Sequence, residues 1–387
     1  MGTEAGVSLG GAYWIQGDAQ ASERAFAAGR DTAISNGKYL MAVPTATYAA
    51  WQQMKQGRLQ EALDNFERAL AWASHDTGTP VPVGGFPMLR ISDLQYEWGD
   101  LAAAQDMAHQ ARELCLRLSQ ADVVVDAHAT MAHRAWAAGE MEESWRCIQQ
   151  GDKAARDSSP DPFLLTRLDA CRVRLWLDGG QLDRALSWLA VKGPDPTGPL
   201  SYHHDLHHLL VVRILIEDDR LPEALALALR IAAAAEQGSW VHEQIQALTL
   251  AAVSAQLLGE PEQALAHLRQ ALRLAAPGRF IRSFLDEGPV VASLLRQIEP
   301  DEEIPQEYLD HLRAIAYTAK TALRTGTRQP LIEPLSDREM EILDLITIGL
   351  SNQEIATRLV LSLATVKWHA STIYSKLGVS NRNQAVA

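Results

Sequence analysis

Length and composition favour a helical protein with more than one structural unit. The chain has 387 residues, which is more than a single hydrophobic core usually supports. Hydrophobic residues make up 47% of the chain. Alanine and leucine dominate and β-branched residues are sparse, which favours helices over strands. The formal net charge of −13 excludes a broad electrostatic grip on nucleic acid by the chain as a whole.

The sequence carries no signature of secretion, membrane insertion or disulfide bonding. Its N-terminus has no basic segment followed by an apolar run, and no stretch approaches the roughly 18 apolar residues that span a bilayer. The three cysteines, Cys115, Cys147 and Cys171, form no C-x-x-C pair, as is typical of buried thiols in a reducing compartment. We therefore expect a cytoplasmic protein without a membrane partner.

One spacing pattern occurs seven times and predicts a helical-repeat solenoid. The pattern is Gly-x4-small-x3-apolar-x2-small, and its first positions are separated by 39 to 42 residues. Each glycine suits the turn between two antiparallel helices, and the small residues let the second helix approach its neighbours closely. This arrangement is typical of tetratricopeptide-like repeats, although those usually have about 34 residues rather than the ~40 seen in this chain. The first positions, called anchors below, are Gly17, Gly57, Gly99, Gly139, Gly180, Asp219 and Gly259.

The breaks in the pattern divide the chain into four predicted parts. The repeats occupy residues 1–276, a helical cap of the solenoid 277–324, a linker 325–334 and a small terminal domain 335–387. Only residues 9–15 precede the first anchor as predicted helix, where the other repeats have about fifteen. Because an uncapped solenoid end exposes apolar surface, we expect the chain to begin inside the array.

No motif supports an enzymatic or cofactor-binding function. The sequence contains no G-x-x-x-x-G-K-[ST] phosphate loop, no G-x-S-x-G elbow and no H-E-x-x-H zinc helix. The segment YHHDLHH has two histidine pairs at the i, i+4 spacing of metal ligands on one helical face, His203 with His207 and His204 with His208. No cysteine or third ligand lies nearby, so a polar helix face is the favoured interpretation. We expect no enzyme activity, no cofactor and no metal in this chain.

The tryptophans offer a candidate effector site on the solenoid. Nine of the ten lie in the repeats, where aromatic rings on an extended concave surface could stack on a ligand. Core packing is the favoured interpretation for those that recur in register before an anchor. Four tryptophans do not recur in register and are the better candidates for contact with a small-molecule or protein effector on the concave face: Trp72, Trp145, Trp188 and Trp240.

The terminal domain has the signals of a helix-turn-helix. Two capping boxes start its first two helices, Ser336 with Glu339 and Ser351 with Glu354. A third helix begins after Ser362 and carries an apolar stripe on one face. The stripe consists of Val366, Ala370, Ile373 and Leu377. The opposite face offers bases, hydroxyl groups and an aromatic ring, which suits insertion into a major groove.

The charge distribution within the terminal domain supports contact with DNA. Beyond Glu354 the sequence contains no acidic residue and four bases, so the positive potential is confined to the last 33 residues. The exposed strip of the third helix predicts base contacts by Lys367, Trp368 and Ser371. Residues beside that strip or at helix ends are predicted to contact the DNA backbone: Ser351, Asn352, Thr365, His369, Lys376 and Arg382.

The terminal sequence closely resembles the LuxR-type DNA-binding domain. The residues that match the pattern of that family are Leu335, Arg338, Glu339, Gly349, Asn352, Glu354, Ile355, Ala356, Thr365, Val366, Lys367, His369, Lys376, Leu377 and Arg382. Upstream, the repeats and the segment GRFIRSFLDEG are similar to the MalT-type, large ATP-binding regulators of the LuxR group. The resemblance implies an N-terminal ATPase outside this chain, a superhelical region that senses an inducer or an inhibitory protein, and DNA binding by oligomers. It also implies a fourth, dimerising helix, which is cut short at Ala387.

These observations favour an all-α, sequence-specific DNA-binding transcriptional regulator whose repeats sense an effector. The expected partners are double-stranded DNA, an effector on the concave face and, in the full-length protein, further copies of itself. The alternative is a scaffold that binds only proteins. Lys367 and its acid-free surroundings argue against this alternative, because a protein-docking surface does not need that local positive potential.

Overall fold

The protein is helical throughout the part of the chain that the structure describes. The computed structural model describes residues 3–74, 78–118, 120–156, 162–200, 205–325, 335–377, 379 and 382–386. Within these ranges every regular element is a helix, which confirms the predicted all-α fold. None of the described helices is long and apolar enough to cross a membrane.

Seven antiparallel helix pairs stack into the predicted tetratricopeptide-like solenoid. The first helices of the pairs are α1 (Thr3–Ile15), α3 (Tyr39–Lys55), α5 (Gly85–Glu97), α7 (Ala121–Ala137), α9 (Pro162–Asp178), α11 (Asp205–Glu217) and α13 (Val241–Leu257). The second helices are α2 (Ala19–Ser35), α4 (Leu59–Ser74), α6 (Leu101–Cys115), α8 (Met141–Arg156), α10 (Leu182–Lys192), α12 (Leu221–Gly238) and α14 (Pro261–Ala275). Each of the first six second helices packs against the first helix of its own pair and against that of the next pair, as expected for stacked repeats.

The turn inside each pair has the same backbone conformation. Six anchors are glycines with φ between 66° and 82°, a left-handed conformation that costs most other residues about 1–2 kcal/mol. Asp219 occupies the remaining anchor with φ 61°, and aspartate tolerates this conformation better than most residues. The regular spacing in the sequence therefore follows from one recurring turn.

The residue five positions after each anchor is fully buried between helices. All seven are alanine or serine with 0% exposure, which permits the close helix packing of the repeat. In two pairs the residue is serine, and its hydroxyl donates to a backbone carbonyl of the paired helix: Ser22 to Gly10 and Ser144 to Ala132, both at 2.8 Å. The seven residues are Ser22, Ala62, Ala104, Ser144, Ala185, Ala224 and Ala264.

The first repeat begins earlier than the sequence pattern predicts. Helix α1 starts at Thr3 and packs along α2. Its glycines weaken the helical signal, but they have a role in packing. A Cβ atom on Gly6 would lie 2.6 Å from the Cα atom of Gly29. One on Gly10 would lie 2.7 Å from the ring of Phe26, so the close approach of the two helices requires glycine at both positions.

Residues 279–288, which we call the closing segment, follow the seventh pair and return to the inner side of the solenoid. Both phenylalanines of the segment are fully buried. The backbone N–H of Ile281 donates to the carbonyl oxygen of Glu97 at 3.0 Å. The N–H of Ser283 donates to the carboxylate of the same residue, also at 3.0 Å. The closing segment thereby attaches the end of the array to α5 in the third pair.

Further contacts between late and early pairs close the solenoid. Helix α13 packs against α3, and Lys55 at the end of α3 forms a buried ion pair with Glu243. The indole N–H of Trp240 donates to the carbonyl oxygen of Gly17 at 3.0 Å. The sequence predicts an extended concave surface, and in the structure these contacts bridge its two ends across the inner side of the solenoid.

Two groups of helices follow the repeats. The first group is α15 (Arg282–Leu285), α16 (Pro289–Leu295) and α17 (Gln306–Thr325), and the second is α18 (Asp337–Thr347), α19 (Asn352–Leu359), α20 (Leu363–Leu377) and α21 (Arg382–Val386). The second group has a hydrophobic core of its own. Residues 326–334 of the predicted linker lie outside the described residues.

Enlarging one of the buried alanines tests the packing role of the small position. We expect Ala104→Leu to lower the free energy of unfolding by about 1–3 kcal/mol, because added methylene groups in a filled interface force neighbouring side chains apart. Ala102→Leu is the matched control on the exposed side of the same helix, and we expect it to change stability by no more than about 0.5 kcal/mol. Urea unfolding followed by circular dichroism measures both. Equal stability of the two variants would contradict the packing account.

Candidate functional site

A cavity of about 180 Å³ lies on the inner side of the closed solenoid. The first helices of the second to seventh pairs line it together with the closing segment. One repeat position, six residues before the anchor, contributes to the cavity wall in five consecutive pairs. These residues are Trp51, Asp93, His133, Arg174 and Arg213. The repeat therefore places one polar or aromatic side chain from each of these pairs in the wall.

Three arginines of this wall, on successive first helices, share two aspartates, of which Asp93 also lines the cavity. Arg134 donates to Asp93 Oδ1 at 2.5 Å, and Arg167 lies 3.2 Å from the same oxygen. Arg90 lies 2.8 Å from Asp93 Oδ2. Both Arg90 and Arg167 also pair with Asp126. Burial raises the pKa of Asp93, but the three arginines outweigh burial and hold that pKa well below its ordinary value.

Two further arginines share one carboxylate of the closing segment. Arg174 and Arg213 both donate to Glu287 Oε1, at 2.7 and 2.6 Å. Burial raises the pKa of Glu287, but the two arginines hold it at about 2. The pKa of Arg213 is lowered, first by burial and then by the neighbouring Arg174. Arg174 and Arg213 therefore share this carboxylate, and the charge of Asp286 also acts on both.

Aromatic rings lie against several of these guanidinium groups. Arg134 and Arg282 lie over the ring of Tyr96, at 4.3 and 5.2 Å from its centroid. Arg90 lies 5.0 Å from the ring centroid of Trp51. A ring beneath a guanidinium group adds cation–π attraction and leaves the planar edge of the group able to donate hydrogen bonds.

This cavity is not predicted from the sequence. The four tryptophans that are out of register, which are predicted to contact an effector, do not line its wall. Trp188 and Trp240 are buried in hydrophobic clusters, and Trp188 also lines a second cavity beside α8, α9 and α10, so contact of these two with an effector stays a prediction. Trp72 and Trp145 are partly buried against other clusters. The available signal was the run of polar and aromatic residues six positions before five consecutive anchors.

The structure gives the described histidines of YHHDLHH a packing role. His203 and His204 lie outside the described residues. His207 and His208 are buried, and the ring of His207 meets that of Trp188 edge-on, with 5.2 Å between centroids. In the described part of the chain, no group of three histidine, cysteine, aspartate or glutamate residues is placed to hold a metal ion.

The three cysteines are buried free thiols, as the sequence analysis expects. Burial raises the pKa of Cys171, which lies in the cavity wall, to about 11. Cys171 is therefore protonated at neutral pH and is a poor nucleophile.

Both predicted capping boxes are present in the terminal domain. The N–H of Ser336 donates to the carboxylate of Glu339 at 2.7 Å, and the N–H of Glu339 donates to the serine hydroxyl at 3.3 Å. The same reciprocal contacts join Ser351 and Glu354. Val360 then adopts a φ of 54° and ends α19. These local contacts set the helix starts and the turn that leads into α20.

Helix α20 buries the predicted apolar stripe and exposes the strip predicted to read bases. Three residues of the stripe are at most 4% exposed: Val366, Ala370 and Ile373. Trp368 is 63% exposed, and the side chain of Lys367 is 50% exposed. The side chain of Ser371 lies outside the described residues. The structure thus brings Lys367 and Trp368 together on the exposed side of α20.

Three of the residues predicted to contact the DNA backbone are engaged in internal contacts. The ammonium group of Lys376 is largely buried and lies 2.9 Å from the carboxylate of Glu339. Arg382 donates to two backbone carbonyl oxygens near the end of α18. Ser351 caps α19. A phosphate contact by Lys376 or Arg382 would therefore require these contacts to open, at a free-energy cost.

The other three residues border the exposed strip. Asn352, Thr365 and His369 are partly exposed. The N–H of Thr365 donates to Ser362 Oγ at 3.0 Å, at the start of α20. The ring of His369 meets that of Trp368 edge-on, with 4.9 Å between centroids. Their contact with the DNA backbone stays a prediction.

Lys367, at the edge of the exposed strip of α20, lies close to an anchor of the solenoid. Lys367 Nζ lies 3.9 Å from Asp219 Oδ2. The cleft at this contact is lined by Glu217 and Asp219 on one side and by Lys367 and Tyr374 on the other. Burial raises the pKa of Asp219, and Lys367 and Arg382 partly offset this. The residue that replaces glycine at one anchor is thus the one that contacts the candidate base-reading lysine.

Comparison with known families gives the class of each unit. The family described as MalT-like TPR region matches residues 1–301, and the family of bacterial regulatory proteins named luxR matches residues 333–387. Fold and site together define a helical-repeat protein that ends in a LuxR-type helix-turn-helix. The chain belongs to the MalT-like TPR region family, which matches more than three quarters of its length. This confirms the resemblance drawn from the sequence.

Several relatives are named HTH-type transcriptional regulator MalT. The relative from Serratia proteamaculans is 26% identical over 369 residues, that from Klebsiella pneumoniae subsp. pneumoniae 25% over 376, and that from Vibrio cholerae serotype O1 24% over 364. Each match covers 88% of this chain and 40% of the relative, so the chain spans two fifths of their length. The solved TPR domain of P58(IPK) is 14% identical over 82% of this chain and 99% of its own, with a TM-score of 0.20, which is too low to support the fold.

Removal of the Asp219 carboxylate should free Lys367 for DNA. Asp219→Asn keeps a residue that tolerates the left-handed turn and removes a partly exposed ion pair, which contributes at most about 1 kcal/mol. We expect DNA affinity, measured by fluorescence anisotropy, to rise by roughly two- to five-fold. Asp64→Asn changes the net charge equally on the exposed side of α4 and is the control. An equal rise in both variants would reveal a general charge effect and contradict a specific contact.

Acid titration tests the contact of Glu287 with Arg174 and Arg213. The pKa of Glu287 is about 2 in the folded protein against an ordinary value of 4.5, so the folded state binds this proton less readily than the unfolded state. The resulting stabilisation is complete above about pH 4.5 and is lost as the pH falls toward 2. We expect Glu287→Gln to be less stable than the wild type at pH 7 and the difference to shrink at pH 3.

Urea unfolding at the two pH values measures this difference. Glu67→Gln removes an exposed carboxylate from α4 and should match the wild type at both. A stability difference for Glu287→Gln that stays the same in acid would rule out a lowered pKa of Glu287 as its cause.

Proposed function

We propose that this chain is the effector-sensing and DNA-binding part of a transcriptional regulator. The proposal rests on the two faces of α20. One face packs on the core of its own domain, and the other presents Lys367 and Trp368 to solvent. A helix divided in this way enters the major groove in helix-turn-helix proteins. The acid-free sequence after Glu354 adds positive potential there, in a chain whose net charge is −13.

The proposal is limited to the steps that the two units of this chain perform. These steps are sequence-specific binding of double-stranded DNA and binding of an effector. The relatives are named as transcriptional regulators, which supports the first step. No enzymatic reaction and no cofactor is part of the proposal. A cytoplasmic location and self-association of the full-length protein are part of it, because such a regulator must reach chromosomal DNA and the resemblance implies binding by oligomers.

The effector site in this proposal is the cavity of the closed solenoid. Polar groups that converge in a concave cavity are typical of ligand sites. Six of the seven helix pairs contribute to the wall, so a ligand there contacts most of the solenoid. One helix joins the cavity to the DNA-binding unit, since α11 carries Arg213 in the wall and ends shortly before Asp219, which contacts Lys367. Effector binding would act on DNA binding through this helix.

DNA binding by the wild-type chain and Lys367→Ala tests the proposal. A binding site is first selected with the wild-type chain from a library of random duplexes. Affinities for that site and for a scrambled duplex are then measured by fluorescence anisotropy at one fixed salt concentration, because phosphate contacts make affinity salt-dependent. We expect Lys367→Ala to lose about 1–3 kcal/mol on the selected site, with relaxed preference at one base pair, and to lose less on the scrambled duplex.

Lys153→Ala is the matched control for this experiment. It removes an exposed lysine from α8 and should leave both affinities unchanged. Failure of the wild-type chain to enrich any sequence or to bind duplex DNA would favour the scaffold that binds only proteins. Equal losses on the selected and scrambled duplexes would contradict base reading by Lys367.

A further inference from the structure

We propose that the solenoid cavity binds a small organic anion whose carboxylate or phosphate groups are received by buried arginines. This inference rests on the proposed effector role of the cavity and specifies the chemistry of the effector. Its support comes from the balance of charges in the wall, from buried donors without partners and from the size of the cavity.

The arginines of the wall outnumber the carboxylates that they share. Five arginines on α5, α7, α9 and α11 pair with three carboxylates, those of Asp93, Asp126 and Glu287. The five are Arg90, Arg134, Arg167, Arg174 and Arg213. The five arginines therefore share three directly paired carboxylates, and the charge of Asp286 also acts on Arg174 and Arg213.

The remaining charges of the wall only partly offset this excess. Two further cations each have one carboxylate, Lys55 with Glu243 and Arg282 with Asp286. Glu97 adds another carboxylate, which accepts two backbone N–H groups of the closing segment. The cavity lining contains seven cations but only four carboxylates, those of Asp93, Glu97, Asp286 and Glu287, because Asp126, Glu243 and the neighbouring Asp178 lie outside it. The surface offered to a ligand is therefore positive, within a chain whose net charge is −13. Buried charge without a partner is unfavourable, so this wall favours an anionic ligand.

Arg213 is the arginine at which the excess is clearest. Its side chain is largely buried and shares Glu287 with Arg174. Burial and then Arg174 lower the pKa of Arg213 by more than Glu287 and Asp286 together restore. A ligand carboxylate or phosphate beside Arg213 would add negative charge there, and the planar guanidinium group matches the geometry of either.

Two buried donors of the closing segment have no hydrogen-bond partner. Ser283 is 4% exposed, and its hydroxyl group makes no hydrogen bond. The Nε atom of Arg282 is also buried without a hydrogen-bond partner. Both residues line the cavity. Because buried polar groups are nearly always hydrogen-bonded, these two donors suit the acceptor oxygens of a ligand.

The volume of the cavity limits the size of the ligand. The cavity has a volume of about 180 Å³. A protein cavity of roughly 150 Å³ accommodates benzene, so this cavity is only slightly larger. Trp51 and Tyr96 supply apolar surface beside the arginines. These features fit a compact metabolite with one or two anionic groups better than a peptide or an oligonucleotide.

Ligand pairs that differ in charge test the proposal. The whole chain is titrated by calorimetry, at ionic strength matched with potassium chloride, with a panel of small phosphate esters and dicarboxylates and their neutral analogues. Glucose 6-phosphate against glucose and succinate against succinamide are examples of such pairs. We expect at least one anion to bind saturably and to raise the melting temperature, while its neutral analogue does neither. The two arms distinguish a phosphate from a carboxylate ligand.

Arg213→Gln locates the binding in the cavity. This variant keeps the pair of Arg174 with Glu287, so we expect it to fold, and we expect the anion to bind about ten-fold or more weakly, as loss of a charged hydrogen bond predicts. Arg220→Gln removes a more exposed arginine at the start of α12 and should bind like the wild type. If circular dichroism shows that Arg213→Gln does not fold, Arg213→Lys replaces it. Lysine keeps the charge but lacks the planar fork of the guanidinium group, so we again expect weaker binding.

The outcomes separate this inference from the proposed function. Neutral analogues that bind as tightly as the anions, no binding by any anion, or anion binding that is unchanged in the Arg213 variant would each overturn the inference. DNA binding by the same preparations is measured in parallel. Sequence-specific DNA binding without anion binding would leave the DNA-binding function standing, and anion binding without DNA binding would contradict that function alone.

Discussion

Close contact between helices at the small residue after each anchor is the constraint on which the rest of the structure depends. Seven fully buried alanine and serine side chains hold the helices together, and left-handed turns at the anchors reverse the chain in the same way each time. Repetition of one geometry gives the array a regular curvature. That curvature brings α13 to α3 and the closing segment to α5, so the cavity between them follows from local packing.

Closure determines the chemistry of the inner wall. In an open groove, the side chains six residues before the anchors would face solvent. In the closed solenoid they line one cavity. Their charges must therefore pair across neighbouring helices. The same closure ties the cavity to the terminal domain. Helix α11 carries Arg213 in the wall and is followed by Asp219, whose carboxylate contacts Lys367 on α20. A ligand that moves α11 would therefore move the contact that holds the DNA-reading helix.

The parts of the fold that could be predicted from the sequence have local signals. Glycine turns, small residues and capping boxes act over a few residues, and the anchors and both boxes agree with the structure. The cavity depends instead on contacts such as that of Tyr96 with Asp286, which are 190 residues apart and meet only because the array curves. Lys376 shows the limit of such signals, because helical periodicity gives the direction of its side chain but not its partner on another helix, here Glu339. Its contact with DNA stays a prediction.

Hydrogen exchange in the closing segment tests the central claim, that contacts between late and early pairs close the solenoid and thereby form the cavity. In the closed structure the N–H groups of Ile281 and Ser283 donate to Glu97. Peptides that cover residues 279–288 should therefore exchange as slowly as peptides from α13, because both report on packed, hydrogen-bonded structure. Exchange of the closing segment at the rate of an unstructured peptide, while α5 and α13 stay protected, would contradict closure and the cavity that depends on it.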